Sequence, residues 1–215
     1  MSSGNNEIWG LCVFNKSEKA ASCADDGTLR IWDLNKHKQL HAVQLDVDIK
    51  GKKMAPDAKS KSINDGGKGR CVSLSPRDDF AMVGMMDGSV RLYQTSDWKL
   101  LAIKQVAKRW IEDIKFSPDG KYVAIGAHDS MCYILHAKDA GLYAKLDKSS
   151  AAVIHLDWSE DSQWLRVNDL GFDLIYYDIP SKKMMTGGAS ATCNELWSTA
   201  TCPLTWGTLG IWQPG

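Results

Sequence analysis

The sequence predicts an all-β chain assembled from repeated four-stranded antiparallel sheets. Three observations carry that prediction. The chain matches itself at an offset of 42 residues, turn-forming clusters punctuate short apolar runs inside each match, and nine tryptophans ask for many large packing sites.

At that offset Leu74, Phe116 and Trp158 align, each followed by a serine: Ser75, Ser117 and Ser159. Val72, Ile114 and Leu156 align two residues earlier, and Val83, Ile125 and Val167 further on. Asp87, Asp129 and Gly171 share a turn column, followed by Val90, Cys132 and Leu174, then Leu92, Ile134 and Tyr176, then Tyr93, Leu135 and Tyr177. Columns are apolar where a strand would be buried and small or acidic where the chain would turn. Each copy therefore reads as strand, "SPRDD", "SPDGK" or "SEDSQ" turn, strand, Asp-Gly-like turn, strand. A fourth strand is expected in "WKLLAIKQ" (98–105) and "GLYAKLD" (141–147). Four antiparallel strands in about 42 residues make the unit of a β-propeller blade.

Taken in order, the first blade spans residues 7–45, with Trp9, Cys12 and Phe14 in its first strand and "LRIWD" in its third, ending in Trp32-Asp33. Residues 69–107, 110–148 and 151–190 supply the next three. A partial fifth is expected at 193–215, where "NELWSTATCPLTWGTLGIW" (194–212) suggests three compact strands. Between the first and second blades, residues 46–70 lengthen the connection by about 18 residues over the repeat. This insertion has few large apolar residues and carries Lys50, Lys52, Lys53, Lys59, Lys61, Lys68 and Arg70 against four aspartates. It reads as a solvated surface loop, and its cations as a contact for an acidic partner surface.

Composition narrows the function. Apolar residues make up 44% and the formal net charge is zero, so no global field draws nucleic acid or an anionic membrane. No apolar run approaches the roughly 18 residues of a membrane span, and "MSSGNNEIWG" lacks the basic and apolar regions of a secretory signal. Cys12, Cys23, Cys71, Cys132, Cys193 and Cys202 form no CxxC pair and read as reduced core thiols of a cytoplasmic protein. His128-Asp129 lacks an accompanying nucleophile motif, and His37 and His41 do not share a helix face, so neither catalysis nor a metal is expected there. "DGGKGR" (65–70) lacks the first glycine and the preceding strand of a phosphate loop. No cofactor is expected.

The chain resembles WD-repeat proteins throughout. More narrowly it resembles the second propeller of the echinoderm microtubule-associated protein-like family, on "IWGLCVF" (8–14), "FSPDGKYVAIGAHDSMCYIL" (116–135), "VIHLDWSEDSQWLRVND" (153–169) and "ELWSTATCPLTWGTLGIW" (195–212). The last stretch is the most specific. The Gly-His pair common before the first strand of WD repeats is missing from every blade, as are the family's coiled coil and hydrophobic signature segment. The resemblance implies that Asp26, Asp87 and Asp129 cap the turn between second and third strands. It also implies an incomplete part of a seven-bladed ring, whose missing blades come from adjacent sequence or another chain. A small five-bladed ring, with "TLGIW" beside the first blade, is the alternative. The expected function is a non-enzymatic interaction scaffold at the cytoplasmic cytoskeleton, with tubulin or a microtubule-linked protein as partner. The alternative is a WD-repeat adaptor in a complex unrelated to microtubules.

Overall fold

A computed structural model describes residues 7–52, 67–205 and 208. The first sheet holds β1 (Ile8–Val13), β2 (Lys19–Ala24), β3 (Thr28–Asp33) and β4 (Lys38–Gln44). The second holds β5 (Gly69–Leu74), β6 (Phe80–Met85), β7 (Ser89–Gln94) and β8 (Leu100–Gln105). The third holds β9 (Ile111–Phe116), β10 (Tyr122–Ala127), β11 (Cys132–His136) and β12 (Leu142–Leu146). The fourth holds β13 (Val153–Trp158), β14 (Trp164–Asp169), β15 (Leu174–Asp178) and the two-residue β16 (Lys183–Met184), followed by a single helical turn, α1 (Gly188–Ala191). Every sheet is an antiparallel meander in which sequence neighbours are spatial neighbours. The fold is an all-β propeller with four complete blades among the described residues.

Successive residues of a strand point to opposite faces of its sheet. A blade between two others buries both faces, so its middle strands read as near-continuous apolar runs: "FAMVGM" in β6 and "YVAIGA" in β10. The faces stack in three layers. Ala21, Cys23, Leu29 and Ile31 meet Val72, Leu74, Val83 and Tyr93. Met82, Val90 and Leu92 meet Ile114, Phe116, Ile125 and Leu135. Ala124, Cys132 and Ile134 meet Leu156, Trp158, Leu165 and Tyr177. The first strands β1, β5, β9 and β13 contact one another in succession, which sets them around a common axis.

The aligned serines have a physical reason. Ser75, Ser117 and Ser159 accept hydrogen bonds at Oγ from the backbone N–H of Phe80, Tyr122 and Trp164, at 3.0, 3.0 and 2.8 Å. Each closes the turn between first and second strands, where Asp78, Gly120 and Ser162 take positive φ. Irregularities repeat too: the first strand of every blade slips register once near its start, which adds twist.

One expectation needs correction. The three strands expected within 194–212 are not formed in the part of that stretch the structure describes up to Thr205, which makes a single bridge, Ser159 to Trp197. Its polar groups are satisfied by blade four instead of by a hairpin of its own. Ser198 N–H donates to Trp158 O, Thr199 N–H to Asp157, Thr201 Oγ1 to Leu156 O, and Leu204 N–H to Asn168. Trp206, Gly207 and residues 209–215, Trp212 among them, lie outside the described residues. The distance from Trp9 to Trp212 that would separate a five-bladed from a seven-bladed ring lies there as well. Of the cysteines, Cys193 is exposed and Cys12 half-buried, while the other four are buried.

Candidate interaction face

The antiparallel order places three features at one end of the strands: the start of every first strand, the turn between second and third strands, and the linker from one blade to the next. The insertion belongs to this face. Its base is a close contact, because a Cβ on Gly67 (φ +108°) would stand 2.9 Å from Asp46 Cβ. Leu45 N–H bonds Gly27 O at 2.8 Å, and the buried Arg91 donates Nη1 to Val47 O at 2.9 Å. Two anchored ends thus carry the loop.

The predicted cations are placed unequally. Lys50 and Lys52 are exposed on a short turn in which Asp48 accepts both of their backbone N–H groups, at 2.9 and 2.8 Å. Lys68 is half-buried and its carbonyl accepts Met86 N–H. Lys53, Lys59 and Lys61 lie outside the described residues. Arg70 is not a solvated loop residue. It is the second residue of β5, its side chain is 12% exposed, and it is committed to neighbours on both sides.

Those neighbours form a cluster that spans three blades. The Arg70 guanidinium lies 3.8 Å from the Trp9 ring centre and Nη2 lies 3.3 Å from Glu112 Oε2. The same carboxylate oxygen accepts Trp110 Nε1 at 3.2 Å and faces His128 Nε2 at 3.2 Å. Trp110 and His128 stack with ring centres 4.2 Å apart. Burial holds His128 below the ordinary histidine range, against the opposing pull of Glu112. No short motif announces this cluster, since its members come from different repeats. The usable signal is positional: Trp9, Arg70 and Glu112 are each the second residue of a first strand, and equivalent positions in adjacent blades meet around the axis.

The remaining candidate residues are structural. Asp26 Oδ1 accepts Thr28 N–H and Oγ1, at 3.0 and 2.6 Å, and Asp87 Oδ1 accepts Ser89 N–H and Oγ, at 2.8 and 2.6 Å. The glycines after them, Gly27 and Gly88, have φ of +76° and +81°. Asp129 lacks a hydroxyl two residues on and bonds Lys108 N–H and Tyr133 Oη instead. His128 turns to Glu112, so it forms no dyad with Asp129. Gly67 and Gly69 permit close approach to Asp46, and to Cys23 and Leu45. Among the described residues no three His, Cys, Asp or Glu side chains gather as a metal group, and no helix is long and apolar enough to cross a membrane.

Toward the other face the inner strands line an open axial cavity of about 430 Å³, with Leu11, Ser73, Lys115 and Thr199 among its walls. Burial raises the Asp113 carboxyl above its ordinary range, opposed by Lys115 Nζ at 3.6 Å. Asp113 accepts Leu156 N–H at 2.9 Å, and so ties blade three to blade four.

Comparison with known proteins agrees with this geometry. The chain is 29% identical over 213 residues to human echinoderm microtubule-associated protein-like 2, matching 97% of this chain and 30% of that protein. It is 25% identical to mouse echinoderm microtubule-associated protein-like 3, across 98% of this chain and 22% of that one. The chain therefore spans less than a third of the length of these relatives. A solved structure titled "Structure of U3-55K" superposes with a TM-score of 0.70 over 86% of this chain and 52% of that one, at 13% identity, which supports the fold alone. A family profile described as the echinoderm microtubule-associated protein second beta-propeller matches residues 8–215. With the blade repeat, the inner-strand ring and this match together, the chain belongs to the echinoderm microtubule-associated protein family, in its second β-propeller.

Proposed function

We propose that this chain is a non-enzymatic interaction module of a microtubule-associated protein, located at the cytoplasmic cytoskeleton and contacting tubulin or a microtubule-linked protein. The observation that carries the reading is family membership over residues 8–215. The face bearing the insertion supplies the contact. Lys50 and Lys52 stand exposed on an anchored turn, and the sequence of the same insertion adds Lys53, Lys59 and Lys61. A cationic loop facing an acidic surface gains affinity that falls as salt screens it, over a Debye length of about 8–10 Å at physiological ionic strength.

Co-sedimentation with polymerised microtubules at low and high salt tests this. Binding is expected at low salt, and weaker binding with a flatter salt dependence once Lys50, Lys52, Lys53, Lys59 and Lys61 are changed to serine. Absence of binding at low salt would favour an adaptor role away from microtubules. Unchanged binding by the serine variant would move the contact off the insertion.

A further inference from the structure

Four lysines converge at the outer rim between blades three and four. Lys145 in β12 and Lys148 just after it meet Lys182 just before β16 and Lys183 within it, around a pocket of about 320 Å³. All four are exposed. Among the described residues Asp147 is the only carboxylate on the pocket wall, and Met184, 42% exposed, supplies an apolar side.

The repeat does not ask for these lysines. At the 42-residue offset they fall on Ile103, Val106, Ala140 and Gly141. Ala140 and Lys182 share a left-handed backbone, with φ of +54° and +58°, so the turn before the fourth strand forms without a lysine. The pocket one boundary earlier, of about 340 Å³, sets Lys104 and Lys138 against Asp139 beside Leu101 and Ile103. Four lysines against one aspartate is thus a property of this boundary and not of the blade.

The cations are positioned but not neutralised. Lys182 Nζ donates to Tyr143 O at 3.1 Å and lies 4.0 Å from the Tyr143 ring centre, which fixes a lysine of blade four against blade three. Lys145 Nζ stands 5.6 Å from the Tyr133 ring centre. Lys148 N–H donates to Oη of the buried Tyr177 at 3.3 Å, which anchors the linker at the pocket. Lys148 Nζ reaches Asp147 at 3.3 Å, but both side chains are more than half exposed, and such a pair holds its cation weakly. Lys183 stands opposite Asp178 in the β15–β16 pair, with no ion pair between them among the described residues.

The geometry separates three classes of anionic partner. Nucleic acid needs open aromatic faces for its bases, and the Tyr143 ring already has Lys182 over it and Tyr122 at 4.5 Å. An anionic bilayer needs a broad basic face, and the chain's formal net charge is zero. An extended acidic chain needs only a groove of cations beside open strand edges. β12 and β16 are both edge strands, and β16 has two residues where the fourth strands of the other blades have five to seven.

We propose that this rim pocket binds an extended acidic segment of a partner protein, its carboxylates seated on Lys145, Lys148, Lys182 and Lys183 and an apolar side chain against Met184. The site shares no residue with the insertion between blades one and two, so it stands whether or not that loop contacts microtubules. Its affinity falls as salt screens the charges.

The test is fluorescence anisotropy of a labelled deca-glutamate peptide titrated with the full chain, joined to photo-cross-linking from a benzophenone at the centre of the peptide. Binding that weakens as salt rises is expected, with adducts on Met184 and on residues 143–148. Changing Lys145, Lys148, Lys182 and Lys183 to serine should weaken binding at least ten-fold. The same change at Lys50, Lys52, Lys53, Lys59 and Lys61 should leave the rim adducts in place. If the four-fold variant loses its native circular dichroism, Lys145→Gln with Lys183→Gln, two exposed side chains outside any ion pair, should still weaken binding at least three-fold. Adducts confined to residues 46–70 would overturn the rim site and leave the insertion reading standing. Tighter binding of a single-stranded oligonucleotide or of phosphatidylserine vesicles would overturn the choice of an acidic protein segment. Absence of peptide binding at low salt would overturn the proposal outright.

Discussion

At the trailing end of the arc, blade four's outward face carries Asp157, Arg166, Asn168 and Tyr176, and the chain after Met184 folds back across it. At the leading end, blade one's face carries Leu11, Val13, Trp32 and Arg30, and among the described residues no other sheet covers it. The trailing face is polar, yet it is closed. Asp157 is fully buried and pairs with Arg166 at 2.7 Å, Asn168 exchanges hydrogen bonds with Leu204, and Cys202 is buried against Arg166 O. The leading face is more apolar, yet it is open. Hydrophobicity alone thus does not decide which end is finished. A polar face can be sealed by a short segment without strands because side-chain hydrogen bonds direct that segment residue by residue. An apolar face needs a broad complementary surface, which a few residues cannot provide.

The largest effect should come from the interior, which calibrates both ends. Trp158 is 1% exposed and donates Nε1 to Lys115 O at 3.0 Å. Trp158→Ala is expected to cost about 3–5 kcal/mol in denaturant unfolding, from lost burial, a cavity and an orphaned carbonyl. If the trailing end is sealed like an interior boundary, Asp157→Ala should approach that cost, about 3 kcal/mol, because it leaves Arg166 buried without its carboxylate. A loss under about 1 kcal/mol would show the tail to be loosely held and the comparison to be wrong. Trp197→Ala removes the aromatic cover over Arg166 and the ring contact with Tyr176, and should cost about 1–2 kcal/mol. The double change Leu11→Ser and Val13→Ser should shift the stability of the 215-residue chain by less than about 1 kcal/mol, since both side chains are mostly in water already. Equality with Trp158→Ala would mean the leading face is covered in this chain after all.

The smallest effect distinguishes the axial cluster from either end. His128 is held below its ordinary range mainly by burial, so the unfolded chain binds a proton that the folded chain refuses. The stability this withholds is fully present above the unfolded histidine pKa of about 6.5 and declines as pH falls below it. A modest loss of thermal stability on acidification from pH 7 to 5.5 is expected, reduced in His128→Gln. An identical pH profile in that variant would assign the acid sensitivity elsewhere.

The sequence by itself determined the repeat and everything local to it. Ser75, Ser117 and Ser159 sit in one column because each closes the same turn with its own Oγ, and Asp26 and Asp87 recur because each caps the turn two residues ahead. Those interactions span two to five residues, so one copy contains all the partners. Apolar columns likewise marked which strands are buried, and the near-continuous runs of β6 and β10 marked blades covered on both faces. Tertiary structure decided what depends on neighbouring blades. Arg70 belongs by composition to a cationic loop, yet Trp9 and Glu112 claim it, because equivalent positions of adjacent blades converge at the axis. The stretch from Asn194 read as three compact strands, yet the hydrogen bonds of Thr199 and Leu204 go to Asp157 and Asn168, more than 30 residues away. Nor could any single repeat show that Arg30 and Arg91, at one place in two blades, have different partners among the described residues: Arg91 bonds the Val47 carbonyl, and Arg30 bonds Thr28 and Asp26. Contacts between copies depend on how sheets stack, and that is a property of the assembled ring, not of its repeating unit.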